Sequence, residues 1–202
     1  MTLSPPRTRV RDREDTRQRI LDATIALLVD TGYARTSTWA VCERAKVSRG
    51  ALLHHFPTRV SLFVAAVSHL AQAPLDQLDA ALRETPARAQ PGFFVDWLWA
   101  TLDGDLFTVG LELLTAARTE PELHAVVRAG GDELRENLEE TIRAIVQANG
   151  EALEGKLHTA LRMSIVAVRG IGLDLAVGGD VQEHRRIYEM WRVHVANALA
   201  SS

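Results

Sequence analysis

Apolar residues recur along this chain every three to four positions, and I-L-D-A-T-I-A-L-L (20–28) sets the pattern. Ile20, Ala23 and Leu27 fall on one face of a helix, Leu21 and Leu28 widen it, and Thr24 is its one polar interruption. The periodicity begins near Thr16 and stops at Gly32, a helix-ending glycine. A short second helix is expected from about Thr38 to Ala45, with Thr36 or Ser37 to cap it. A third is expected from about Arg49 to His55, capped by Ser48, whose hydroxyl can take an otherwise unsatisfied amide hydrogen. Pro57 closes it, because the residue before a proline disfavours the helical region. Thr58 then opens a long helix to about Arg83, which Pro74 is expected to kink or break.

The remainder also reads as helix. GFFVDWLWATLD (92–103) is apolar on almost every face apart from Asp96, which places it inside a larger domain. Further helices are expected at about 105–118, 121–149, 154–178 and 182–200, with Pro86, Pro91, Pro121, Gly150 and Gly178-Gly179 between elements. No strand alternation and no fixed-period repeat is present. The fold class is therefore all-α with about nine helices: an N-terminal three-helix domain and a larger C-terminal helical bundle. The expected boundaries are a flexible basic arm at 1–14, the three-helix domain at 15–57, and the larger domain at 58–202.

Composition narrows the class. Of 202 residues, 47% are apolar and 24% charged, enough for a sizeable core and against wholesale disorder. Cys42 is the only cysteine, so no intrachain disulfide and no cysteine-based zinc site can form, which suits a reducing interior. MTLSPPRTRVRDRED has no apolar core of a secretory signal. The longest apolar stretch is interrupted by Arg162, Arg169 and Asp174, unlike a membrane span. The expected location is the cytoplasm. The net charge of −3 hides an asymmetry: eleven Lys/Arg face six Asp/Glu through residue 60, and twelve face twenty beyond it. A basic N-terminal portion beside an acidic remainder suggests a polyanion-binding end; scatter around solvated faces is the plain alternative.

Two short helices joined by Lys46-Val47-Ser48, with a basic residue opening the second, form a helix-turn-helix. A major groove about 12 Å wide admits one helix, whose N-terminal residues reach the base edges. Here those residues are Ser48, Arg49, Gly50 and Ala51. Arg49 can form a bidentate pair with guanine, and Gly50 and Ala51 let the backbone come close. The arm arginines and Arg59 would meet phosphates.

Residues 16–67 resemble the DNA-binding region of the TetR family of bacterial transcription regulators. The resemblance lies in Ile20-Leu21-Asp22-Ala23, Gly32-Tyr33, Thr36-Ser37, Ala45, Val47-Ser48, Gly50, Leu52 and His55-Phe56-Pro57. It implies a homodimer that sets its third helices into successive major grooves of a palindromic duplex operator. It also implies a C-terminal small-molecule site whose occupation moves the fourth helix and releases DNA. Thr38, Trp39 and His54 join the DNA-facing set on this resemblance. Trp39 either stacks on a sugar or packs locally. The chain departs from the family at Lys46, where glycine is usual, and at Leu53, where a phosphate-contacting tyrosine is frequent. A left-handed Lys46 would be strained by about 1–2 kcal/mol.

Other readings compete with these. A metal pair on a helix needs spacing of three or four, whereas His54 and His55 point about 100° apart. DNA contact or local packing suits them better. The chain lacks a G-x-S-x-G elbow, a P-loop and an H-E-x-x-H pair, and in RGIGLDLAVGG Leu175 takes the third glycine position of a dinucleotide fingerprint. No catalytic residue, cofactor or metal is expected. Phe93, Phe94, Trp97, Trp99 and Phe107 line a pocket or fill a core. With His69 on the fourth helix and Arg169, the residues Phe94, Trp97 and Phe107 form the candidate effector set, suited to an apolar or aromatic molecule. Asp96 and Arg169 are charges within apolar runs that need partners, either each other or a polar ligand group. Two stripes, Leu157-Leu161-Ile165-Val168 and Ile187-Trp191-Val195-Leu199, make a four-helix dimer interface or pack within the monomer; the resemblance favours the interface, built on Leu161, Ile165, Ile187, Trp191 and Val195. The competing classes are a DNA-binding regulator without a small-molecule ligand, and a helical enzyme or carrier with a structural helix-turn-helix.

Overall fold

The computed structural model describes residues 7–84, 91–102, 104–149 and 154–197. Among these residues the secondary structure is nine helices: α1 (Arg7–Arg35), α2 (Thr38–Ala45), α3 (Arg49–His55), α4 (Arg59–Glu84), α5 (Pro91–Ala100), α6 (Asp105–Ala117), α7 (Pro121–Asn149), α8 (Glu154–Ala176) and α9 (Val181–Asn197). None of the described helices is long and apolar enough to cross a membrane. The chain divides into two compact units, Met1–Ala71 with Val109–Gly130, and Gln72–Thr108 with Gly131–Ser202.

The first unit is built around the apolar face of α1. Ile20, Leu21 and Leu28 are fully buried, and Val41, Leu52, Leu62 and Phe63 close over them. Thr24 interrupts that face without cost because its hydroxyl donates to the Ile20 carbonyl at 2.7 Å. Gly32 breaks the helical path at φ 77°, a left-handed conformation that favours glycine. The helix starts at Arg7, well ahead of Thr16. Residues 11–15 are exposed, so no apolar periodicity marks that first stretch. Local contacts support it instead: the Thr16 hydroxyl donates to the Asp12 carbonyl at 2.8 Å, and Arg17 lies 3.7 Å from Glu14. The part of the expected arm at residues 1–6 lies outside the described residues.

The first unit does not end at residue 57. Leu62, Phe63 and Ala66 of α4 are fully buried in its core, and Val109, Leu113 and Leu123 join them from α6 and α7. Nor does Pro74 end α4, which runs through it to Glu84. Proline removes one hydrogen bond from the ladder, but apolar anchors stand on both sides, Ala66 before it and Leu78 after it.

In the second unit α5 packs on α8 and α9, and α8 packs on α9. Phe94, Val95, Ile142, Ile145, Leu157, Leu161 and Val195 form its centre. Asp96, the one charge on α5, finds its partners on α9. Its carboxylate accepts from Arg192 Nε at 2.5 Å and Nη2 at 2.9 Å, and from the Tyr188 hydroxyl. The Tyr188 ring in turn stacks on Trp99 with centroids 4.4 Å apart. Arg169 is exposed and is not that partner, so of the two alternatives for these charges their mutual pairing is not found. The two share a helical hydropathy pattern, but an isolated charge in an apolar run can also mark an outward-facing position, and Arg169 does.

Burial acts to raise the Asp96 carboxyl pKa, but the hydrogen bonds from Arg192 and Tyr188 outweigh it and hold the group below its ordinary range. Burial and the Asp96 carboxylate push the Tyr188 phenol up to about 12. We predict that Asp96→Asn lowers unfolding stability by about 1 kcal/mol near pH 7, since the ion pair is partly exposed and screened. A depressed carboxylate pKa stabilises above its unfolded value of about 3.9 and ceases to do so as pH falls through the folded value. Urea titrations should therefore show the gap between wild type and variant closing below about pH 4. A gap unchanged with pH would contradict this.

Candidate nucleic-acid interface

The turn between α2 and α3 is closed by backbone hydrogen bonds. Lys46 sits at φ 54°, ψ 48°, the one non-glycine residue with positive φ among those described. Its N–H bonds the Glu43 carbonyl at 3.3 Å and the Val47 N–H bonds the Cys42 carbonyl at 3.0 Å. This is a Schellman closure, and it turns the chain so that Val47 packs against the core. Caps complete both helices: Ser37 Oγ accepts from the Ala40 N–H at 3.1 Å, and Ser48 Oγ from the Ala51 N–H at 3.2 Å. Leu52, 1% exposed, anchors α3 in the core.

With Leu52 inward, α3 turns a defined strip outward. Arg49, Gly50, Leu53 and His54 are exposed, Ala51 is half-buried, and Lys46 and Ser48 are exposed at the turn. A Cβ added at Gly50 would meet only Ser48 Oγ, at 3.9 Å, so this flank is open. Trp39 is 68% exposed. Most of its indole therefore stands in solvent. Thr38 beside it is half-buried at the start of α2. The histidine pair separates as adjacent helix positions must: His54 faces out, while His55 is half-buried with its ring 6.2 Å from Phe56. Burial, and then the charge of Arg13, hold the His55 pKa below its ordinary value. No cluster of three or more His, Cys, Asp or Glu side chains able to hold a metal occurs among the described residues.

Arg59 faces the interior of this unit. Its guanidinium donates to the Tyr33 carbonyl at 2.6 Å and the Thr36 carbonyl at 3.2 Å. It also lies 4.1 Å from the Tyr33 ring centroid and 4.8 Å from that of Phe63. The side chain expected to meet a phosphate is engaged here with two carbonyls at the end of α1 that a guanidinium fork can reach together. Two carboxylates complete the brace. Glu112 accepts from the Tyr33 N–H at 2.7 Å, and Glu120 accepts from the Tyr33 hydroxyl. Burial and then Glu120 push the Tyr33 phenol up to about 12. Glu112 and Glu120 were missed in the sequence because nothing local to either predicts a partner some eighty residues away.

Residues 20–66 match the model of bacterial regulatory proteins of the tetR family, and residues 93–200 match that of the BetI-type transcriptional repressor C-terminal region. The second match alone spans more than half of the chain. The chain belongs to the TetR family. It is similar to an uncharacterized HTH-type transcriptional regulator of Mycobacterium tuberculosis, 34% identical over 118 residues, 58% of this chain and 60% of that one. The chain thus spans 60% of the length of that curated relative. Two solved structures share the fold. Salmonella enterica GusR superposes with TM-score 0.69 at 19% identity, covering 92% of this chain and 95% of that one. The transcriptional regulator FadR from Bacillus subtilis, in complex with stearoyl-CoA, gives 0.64 at 16%, covering 91% and 97%. TetR-family proteins are transcription regulators rather than enzymes, so the enzyme alternative falls.

The candidate effector residues are split between the units of this TetR-family chain. His69 lies in the first, its Nε2 2.7 Å from Gln18 Nε2 and 3.7 Å from Asp22. Phe94, Trp97, Phe107 and Arg169 lie in the second. Phe94 is fully buried and stacks on Trp97 with centroids 6.1 Å apart, and Trp97 Nε1 donates to the Pro74 carbonyl at 3.2 Å. A Cβ at Gly172 would collide with Phe107 and Leu102, so this glycine permits close packing, while Gly170 has open space around it.

The dimer stripes need correction. Leu161 and Val195 are fully buried in the core of the second unit, Ile165 and Trp191 are half-buried against it, and Trp191 Nε1 donates to Ser164 Oγ at 2.8 Å. The four-residue spacing had identified the seam by which α8 and α9 join the core of their own chain. Of the five residues assigned to the interface, only Ile187 is exposed, at 47%. The outward apolar positions are Met163, Val166 and Leu173 on α8, Val177 just past its end, and Val181, Met190 and Val193 with Ile187 on α9. Met163, Val166 and Leu173 lie near one face of α8, with Gly170 between the last two.

Because Lys46 holds a conformation that glycine adopts freely, we predict that Lys46→Gly raises unfolding stability by about 1 kcal/mol. Chemical denaturation of the two proteins under one buffer measures it. A destabilised variant would show that the lysine side chain supports the turn.

Proposed function

We propose that this protein is a homodimeric repressor that holds a palindromic duplex operator through α3 and releases it when a small molecule binds its second unit. The observation that carries the reading is the exposed strip on α3, with Arg49 at its N-terminal end and Leu52 anchoring the opposite side. A helix capped by Ser48 and bare at Gly50 suits close approach to a groove. Arg49 is assigned to a base edge, and Lys46, Ser48, Thr38, Trp39 and His54 to the backbone around it, with Ala51 beside the strip. The arginines of residues 7–13 add phosphate contacts. Arg59 leaves the DNA-facing set.

The second unit takes dimerisation and effector binding. The exposed apolar stripe of α8 and α9 supports pairing with a second copy, since Val166 and Met190 are 70% and 74% exposed. Phe94, Trp97 and Phe107 favour an apolar or aromatic effector. FadR, a fold neighbour, is bound to an acyl-CoA, which supports small-molecule control of this architecture. The protein acts in the cytoplasm, where its operator is.

Two measurements test this. Arg49→Ala should weaken binding to duplexes selected from a random library by about 1–3 kcal/mol and relax the preference at one position per half-site. Wild-type affinity should fall steeply with salt. No affinity for any duplex at low salt would defeat the reading. Val166→Glu with Met190→Glu should convert the dimer to a folded monomer in sedimentation equilibrium, because two charges would be buried without partners. A dimer that survives both changes would place the interface elsewhere.

A further inference from the structure

One position on α3 carries a chemistry that the reading above does not use. Leu53 is 43% exposed, while its neighbour Leu52 is 1% exposed and holds the helix to the core. Leucine can neither donate nor accept a hydrogen bond, so it cannot bind a phosphate. Apolar surface on a groove-facing helix can be covered in two ways, by the thymine C5-methyl on the groove floor or by the deoxyribose of its wall. Position distinguishes them. Leu53 follows Arg49 by four residues, so both lie on one stripe of the helix. His54 is turned about 100° away from Leu53. Whatever surface Arg49 addresses through its guanidinium, Leu53 addresses one turn further on. Between them Gly50 leaves the flank bare, with nothing but Ser48 Oγ near the place of a Cβ.

We propose that Leu53 is a specificity-determining residue that packs on a thymine methyl group. The assignment rests on the reading that α3 enters the major groove. Four residues of helix rise about 6 Å, roughly two base-pair steps of about 3.4 Å. The half-site therefore holds a guanine addressed by Arg49 and, about two base pairs away, a thymine addressed by Leu53.

Deoxyuridine substitution tests this directly, since it deletes the methyl and leaves base pairing intact. Duplexes bound by the full-length protein are first selected from a random library. Each thymine of the recovered half-site is then replaced in turn, and affinities are measured for wild type, Leu53→Ala and Leu53→Met. One substitution per half-site should weaken wild-type binding about fourfold, the weight of one buried methyl. It should leave Leu53→Ala unchanged and remain visible with Leu53→Met, which keeps the apolar reach. Thermal melts confirm that both variants fold. The proposal is overturned if no thymine is sensitive, or if the penalty persists undiminished in Leu53→Ala. A loss in Leu53→Ala that is uniform across all sequences would assign the side chain to the sugar wall and overturn it equally. Failure to recover any duplex would remove this proposal together with the DNA-binding reading; recovered sites without methyl sensitivity remove this proposal alone.

Discussion

The left-handed turn at Lys46 decides which way α3 faces. Its two backbone hydrogen bonds end α2 at a defined point and deliver Val47 to the core and Ser48 to the head of α3. Once Ser48 caps the helix and Leu52 is buried, the rotation of α3 about its axis is set, and with it the identity of the outward strip. A rotation of one residue, about 100°, would exchange Leu52 for Leu53 and bury the wrong leucine. The cost of a lysine in this conformation, about 1–2 kcal/mol, is smaller than that of losing a buried leucine, about 2–5 kcal/mol. The turn therefore holds without glycine.

The same unit depends on distant chain for its closure. Tyr33 lies in the last turn of α1, just past Gly32, and its amide and hydroxyl are taken by Glu112 of α6 and by Glu120, which directly precedes α7. Arg59 fills the space between the Tyr33 and Thr36 carbonyls and the Tyr33 and Phe63 rings. A cation packed between aromatic faces and carbonyl oxygens exchanges part of its hydration for fixed dipoles. The helix-turn-helix is thus completed by chain that lies outside residues 15–57.

Much of the local structure was legible in the sequence, because caps and stops are local chemistry. Ser48 before an apolar triplet, Gly32 after a periodic run and Lys46 in a turn position each act within four or five residues. The all-α class followed from the same periodicity. The start of α1 was not legible, since Arg7 to Asp15 carries no apolar stripe and its helix needs none. The tasks of Arg59 and Asp96 were hidden because their partners lie far along the chain, and hydropathy does not say which carboxylate meets which guanidinium. The α8 and α9 seam was misassigned for a related reason. A regular apolar stripe states that a surface is covered, not whether its own chain or a second copy covers it, and here the more perfect stripe met its own core.

Charge shows the same distinction between composition and placement. The excess of basic residues through position 60 suggests a polyanion partner, yet much of it is already used within the unit. Arg44 pairs with Asp30 at 2.7 Å, Arg17 reaches Glu14 and the Phe56 ring, and Arg59 is committed to Tyr33 and Thr36. Lys46 and Arg49 stand on either side of Ser48, exposed, and neither forms an ion pair among the described residues. Two such charges at the head of a capped helix focus positive potential where amide hydrogens already point outward. That placement at the head of a capped helix, rather than the regional excess of arginine, is the feature of α3 that suits a polyanion.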